Sequence, residues 1–211
     1  MPLKIFKGDE FEMLLKKNSE LIKVARPFIE IIYDFLKKDV GIKNQNILDQ
    51  VRYHHKANLK GANVEDKSLA YITYIADNIA AGIDRRENDD EQYGFDKETP
   101  LESVFNILNG NNQNYGYSPM MLDVKKGINY PQEATKKFDS EFYGKVTKNI
   151  KDTLQGIEYS PSYVNSLLEI IEANLTFIPS STNKKELADI SLYDHVKVTA
   201  AIGSCIYDYL E

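Results

Sequence analysis

"SLAYITYIADNIAAG", residues 68–82, is apolar almost all the way round when wound as a helix, and a single acidic residue, Asp77, interrupts it. A helix without a polar face belongs at the centre of a bundle, so this stretch predicts a mainly α fold around a buried helix. On that helix Asp77 shares a stripe with Ala70, Thr73 and Ala81, whose small side chains let a neighbouring element come close. A carboxylate taken out of water is costly unless it is paired, hydrogen-bonded or bound to a metal. The segment that dictates the fold therefore also marks a candidate site.

Just upstream, residues 45–58 read as a helix that carries "QVRYHHKANLKG" (50–61). At 100° per residue Ile47, Leu48, Val51 and Leu59 share one side of it, and His54 and His55 fall on that side. Downstream, a final helix over 191–210 aligns Leu192, Thr199, Gly203, Ile206 and Leu210, with His195 at the edge of the stripe. All three histidines of the chain are thus expected to face inward. The first two of these helices are joined by about ten residues and must pack together, which brings imidazole and carboxylate groups into range of each other. Two readings stay open. His54, His55, Asp77 and His195 can ligate a first-row divalent metal, which needs donors at about 2.0–2.2 Å. Alternatively, Asp77 pairs with Arg85 or Arg86, and His195 hydrogen-bonds a backbone carbonyl.

The remaining pattern is also helical. Helices are expected at 9–17 and at 19–38, the latter interrupted by Pro27. The 68–82 helix is expected to end near Gly82, a natural C′ residue. Thr99-Pro100-Leu101-Glu102 has the form of a capping box opening a short helix to about Asn109. "MMLDV" (120–124) suggests a short strand, and further helices are expected at 139–155 and 161–176. The layout is one domain, residues 1–211, with a looser insertion at about 88–135.

Composition narrows the function classes. The net charge of −6 argues against a free-standing, non-specific nucleic-acid binder, which needs a basic footprint. No apolar run reaches the roughly 20 residues that span a bilayer, and a single cysteine, Cys205, excludes a disulfide framework, so no membrane contact and a cytoplasmic setting are expected. A P-loop, a GxGxxG fingerprint and a Ser-His-Asp triad are missing. Cys205 lies mid-helix without a basic neighbour and is not expected to act as a nucleophile.

"VRYHHKANL", "SLAYITYIADNIAAGIDRRE" and "FIPSSTNKKELADISLYDHVKVTAAIGSCIYDYLE" resemble, in order and spacing, the N-terminal HD domain of the large subunit of type III-A CRISPR effector (Csm) complexes. The resemblance covers most of the chain from about residue 19 to 211, through these three blocks. It implies a helical bundle of the HD superfamily in circularly permuted order, with a small irregular insertion lobe. It also implies a metal-dependent nuclease that cuts single-stranded DNA, working with other CRISPR effector subunits and crRNA. By the same resemblance the metal ligands are His54, His55, Asp77 and His195, with Asp77 also catalytic. The cofactor is one or two divalent ions (Mn, Ni, Co or Mg).

Two departures set a further expectation. The family opens on an "LLHDIGK"-like helix, whereas "MPLKIFKGDEFEMLLKKN" holds neither a histidine nor a His-Asp pair. A second family histidine and a small residue align with Phe28 and Ile32. No GGDD motif is present either, so cyclic oligoadenylate synthesis is not expected of this chain. Little or no nuclease activity is expected from the chain alone, and the competing reading is a structural or protein-binding module of the effector complex. A stand-alone HD phosphohydrolase is the weaker third.

Overall fold

Capping side chains set where three helices begin in the computed structural model, which describes residues 33–64, 68–84, 94–108, 114–123, 125–133, 137–155 and 163–211. Asn44 accepts a hydrogen bond from the Asn46 amide at 3.0 Å and starts α1 (Gln45–Tyr53). Asp139 accepts from the Phe142 amide at 2.7 Å and starts α5 (Ser140–Leu154). Ser191 accepts from the Asp194 amide at 3.0 Å and starts α7 (Leu192–Leu210). Each cap satisfies an amide that the first turn of a helix leaves without a partner. Between them lie α2 (Lys56–Leu59), α3 (Leu69–Asp84), β1 (Leu101–Glu102), α4 (Phe105–Leu108), β2 (Gly116–Tyr117) and α6 (Tyr163–Leu175). The chain is mainly helical, as the periodicity predicts. It divides into two compact units, Met1–Tyr74 and Ile75–Glu211, and the boundary falls inside α3.

In the first unit, residues 33–38 are helical and turn through Gly41, whose φ of 76° suits glycine, into α1. Tyr33, Ile42 and Leu48 form the core there, with Leu36, Val40 and Ile47 packed against them. The Thr73 hydroxyl donates to Gln50 Oε1 at 2.8 Å and ties the second turn of α3 to α1. The helices expected at 9–17 and in most of 19–38, with Pro27, lie outside the described residues.

The single helix expected over 45–58 is instead broken at the histidine doublet. His54 closes α1, while His55 is extended (φ −94°, ψ 137°) and precedes α2. Side chains replace the helical ladder at this point. His54 Nδ1 donates to the Val51 carbonyl at 2.7 Å, and Asn58 Nδ2 donates to the Arg52 carbonyl at 3.1 Å. Local side-chain donors that capture the last carbonyls of a helix stop its propagation.

In the second unit, Phe138, Val146 and Ile178 form a core flanked by Met121, Phe142, Tyr143, Ile150, Leu175 and Leu192. α5 and α6 are further joined by Asn149 Nδ2, which donates to Asn174 Oδ1 at 2.9 Å, while the buried Asn174 donates to the Ile170 carbonyl at 2.8 Å. The segment after α6 pairs with the residues that lead into α7. Ser180 N donates to the Ile190 carbonyl (2.8 Å) and Leu192 N to the Ile178 carbonyl (2.7 Å). The start of α7 is therefore fixed by backbone pairing, by its cap and by the Phe138 core.

Three further expectations are corrected. Leu101–Glu102 is not the first turn of a helix but strand β1, antiparallel to β2 with Leu101 opposite Tyr117 and Glu102 opposite Gly116. A tertiary acceptor takes the amide that the capping box would serve at Glu102, whose N donates to the Ala188 carbonyl (2.8 Å), and Ser103 N donates to the Tyr115 carbonyl (2.9 Å). Ser103 then leads into the short α4, accepting from Phe105 N at 3.3 Å. The strand expected in "MMLDV" is absent over 120–123, where Leu122 N donates to the Ala173 carbonyl of α6 at 2.7 Å. α3 is not apolar-buried all round either: Ala70, Ala76 and Ala80 are fully buried, but Tyr71, Ile79 and Ile83 are exposed.

Candidate metal centre

Asp77 and Asp84 lie seven residues apart on α3, two full turns, and so project from one face about 10.5 Å apart along the axis. His195, at the end of the first turn of α7, lies between them. Its Nε2 is 3.1 Å from Asp77 Oδ1 and its Nδ1 is 2.7 Å from Asp84 Oδ2. The imidazole side chain is 15 % exposed, that of Asp84 9 % and that of Asp77 27 %. Asp77 thus forms the open edge of the cluster and Asp84 its closed floor.

The two carboxylates hold the His195 imidazole above its ordinary range. The hydrogen bond to Asp77 is the largest cause, burial opposes it, and the bond to Asp84 and the two negative charges add to it. The position near the start of α7 works the other way, since the positive end of a helix disfavours a cation. The adjacent Asp194 takes no part: its carboxylate accepts from the Ser191 hydroxyl at 2.7 Å and completes the cap.

The donor set fits part of a divalent-metal site. Two ligands at about 2.1 Å from one ion and at right angles to each other stand about 3.0 Å apart. The separation of His195 Nε2 and Asp77 Oδ1, 3.1 Å, matches that spacing. A ligating histidine also normally gives its other ring N–H to a carboxylate or carbonyl, as His195 does to Asp84. Among the described residues no group of three or more His, Cys, Asp or Glu side chains is placed to hold a metal ion.

In the first unit His54 and His55 have their rings 4.0 Å apart, tilted by 47°. His54 is half-buried, but His55 is exposed, contrary to the inward direction the helical wheel gives it, because the helix breaks between them. A carbonyl only accepts, so the bond to Val51 fixes the proton of His54 on Nδ1 and leaves Nε2 as the atom able to ligate. His195 bonds two carboxylates rather than the backbone carbonyl considered as an alternative. Arg85 and Arg86, the other partners considered for Asp77, lie outside the described residues. Cys205, expected in an apolar helical pattern, is exposed.

Sequence pattern does not single out Asp84, because Gly82 predicts a helix that ends before it. Gly82 has no positive φ, and α3 runs on to Asp84. The signal that would have found it is the Asp-x6-Asp spacing, which puts both carboxylates on one helical face.

Over 178 residues the chain is 42 % identical to a protein of Mycobacterium tuberculosis described as the CRISPR system single-strand-specific deoxyribonuclease Cas10/Csm1 (subtype III-A). Proteins with the same description from Enterococcus italicus (41 % over 186 residues) and Streptococcus thermophilus (40 % over 174) match similarly, each alignment covering 80–83 % of this chain. The chain belongs to the Cas10/Csm1 family. It spans under a quarter of the length of these relatives (22–24 %) and corresponds to the N-terminal region of the Cas10/Csm1 large subunit. No family model matches it. Among solved structures, a Csm1–Csm4 cassette in complex with cA4 aligns over 81 % of the chain with a TM-score of 0.53 and 24 % identity, which shows a common fold. A Csm1–Csm4 cassette with pppApA aligns with a TM-score of 0.51 at 25 % identity. The mainly helical architecture matches the part of Csm1 that aligns in these cassettes. No helix among the described residues is long and apolar enough to cross a membrane.

Proposed function

We propose that this chain is the HD-type nuclease portion of a Cas10/Csm1 large subunit. In this reading it acts on single-stranded DNA through one or two divalent metal ions, inside a cytoplasmic complex of CRISPR effector subunits and crRNA, and it cleaves poorly on its own. The observation that carries the reading is the pairing of His195 Nε2 with Asp77 Oδ1 at ligand spacing, with Nδ1 anchored on a carboxylate. The description of the relatives as single-strand-specific deoxyribonucleases supports the substrate class, and the Csm1–Csm4 cassettes support a multi-subunit setting.

His195 and Asp77 are the ligands that the second unit supplies, and His54 and His55 are those expected from the sequence. A divalent ion held by His195 and Asp77 would lower the pKa of a bound water and neutralise charge on the scissile phosphate. The chain's own part is to keep the donors fixed and correctly protonated. Asp77, at the open edge, presents a carboxylate that binds as an anion and can accept a proton beside the substrate. With a cation in place of the proton that Nε2 shares with Asp77, His195 would keep its proton on Nδ1 and offer Nε2. The impairment belongs to the same proposal: the sequence contains no His-Asp dyad, and a centre with fewer ligands stabilises transition-state charge less.

The test is cleavage of labelled single-stranded DNA with Mn²⁺, Ni²⁺ or Co²⁺, comparing the protein with His195→Ala and His54→Ala. Slow, metal-dependent cleavage that disappears in His195→Ala is the expected result. Rapid turnover lost in that variant would overturn the impaired part of the proposal. Cleavage indifferent to His195→Ala, or no metal binding at all, would favour a structural module of the complex instead.

A further inference from the structure

Asp84 has no place among the ligands, yet it makes the shorter and more buried of the two bonds to His195: 2.7 Å with a 9 % exposed side chain, against 3.1 Å and 27 % for Asp77. Two carboxylates that flank one imidazole compete for its protons. When the ring carries a single proton, the proton stays where the hydrogen bond is shorter and drier, because a charge-assisted bond strengthens as water is excluded. That place is Nδ1, facing Asp84. A free imidazole with no such partner has no reason to hold its proton there.

We propose that Asp84 is the positioning residue of the centre: it locks His195 as the Nδ1–H form, so that the Nε2 lone pair is presented beside Asp77 to a divalent cation. The inference rests on the metal reading above for its purpose, but not for its geometry. It also explains why the helix must continue past Gly82. If α3 stopped there, the second carboxylate would leave the face that meets α7. α7 supplies the matching rigidity, since its start is fixed by the Ser191 cap, by the Leu192–Ile178 backbone bond and by the Phe138 core. Ring, orienting carboxylate and ligating carboxylate are therefore all held on helices, which sets donor positions more closely than loops do.

Two measurements on the full chain test it, using wild type, Asp84→Asn, Asp84→Ala and His195→Ala. The first is the nitrogen NMR signature of the His195 ring without metal, at alkaline pH where the ring is neutral. Wild type should show Nδ1 protonated, and both Asp84 variants should shift toward the Nε2–H form. The second is Mn²⁺ affinity by calorimetry, expected to fall about 10- to 100-fold in Asp84→Asn, the range found for orienting partners of metal ligands. Having both Asn and Ala variants keeps the test standing if one fails to fold. An unchanged tautomer in the variants would overturn the positioning role whatever the metal does. A lost tautomer, without any His195-dependent Mn²⁺ binding in wild type, would sink the metal reading and leave the positioning role intact. Wild-type binding lost in His195→Ala but unchanged in Asp84→Asn would overturn the claim that this positioning serves metal.

Discussion

Phe138→Ala is the substitution through which packing of the second unit can be connected to the site. Phe138 is 1 % exposed, and its ring centroid lies 5.2 Å from that of Phe142 and 5.7 Å from that of Tyr143. It also packs in the cluster that contains Ile178 and Leu192, the residues whose backbone bond leads into α7. Burying an aromatic side chain removes roughly 150–250 Å² from water, an upper bound of about 4–6 kcal/mol at about 25 cal/mol/Å². Measured truncations of buried Phe destabilise by about 3–5 kcal/mol once relaxation is included. We expect that range for Phe138→Ala, and a Tm lower by about 6–20 °C for a chain of this size. Phe105→Ala removes the same atoms from a residue that is 59 % exposed and should stay within about 0.5 kcal/mol of wild type. Urea unfolding and thermal melts followed by circular dichroism measure both. Equal effects from the two variants, or less than about 1 kcal/mol for Phe138→Ala, would refute the assignment of this residue to the core that seats α7.

Ser191→Ala removes the cap of α7 and should lower stability by about 0.5–2 kcal/mol in the same urea assay, with Ser191→Asp restoring most of it. Glu102 supplies the pH dependence. Burial first, and then the charge of Asp189, raise its pKa above the ordinary 4.5. The folded protein therefore holds this proton more tightly than the unfolded chain does. Its favourable contribution is complete below pH 4.5 and is lost as the pH rises through the raised folded value. Glu102→Gln should accordingly match wild type near pH 4 and become the more stable protein toward neutrality, as urea unfolding at several pH values will show.

Helix positions were legible where the local chemistry agrees with the global fold. Asp139 and Ser191 precede apolar-periodic runs and cap α5 and α7 within a residue of expectation. Thr99–Glu102 carries an equally good local signal, yet Leu101–Glu102 becomes strand β1, because the Ala188 carbonyl, distant in sequence, accepts from Glu102 N and the Tyr115 carbonyl accepts from the next amide, Ser103 N. The His54–His55 doublet misled in the opposite direction. Its helical periodicity is sound, but the short-range bonds from His54 and Asn58 end α1. In each case a competing hydrogen-bond partner decided the outcome, and hydrophobic period does not report such partners.

The sequence by itself determined the helical class, the family, and the selection of Asp77 and His195 as residues whose chemistry needs a partner. Those depend on periodicity, residue type and the order of the blocks along the chain. Only the tertiary structure decided that the two meet at 3.1 Å, and that Asp84 stands behind His195 at 2.7 Å. The physical reason is that α3 and α7 are separated by more than a hundred residues, and a hydrogen bond between them is set by their packing, which no local pattern encodes.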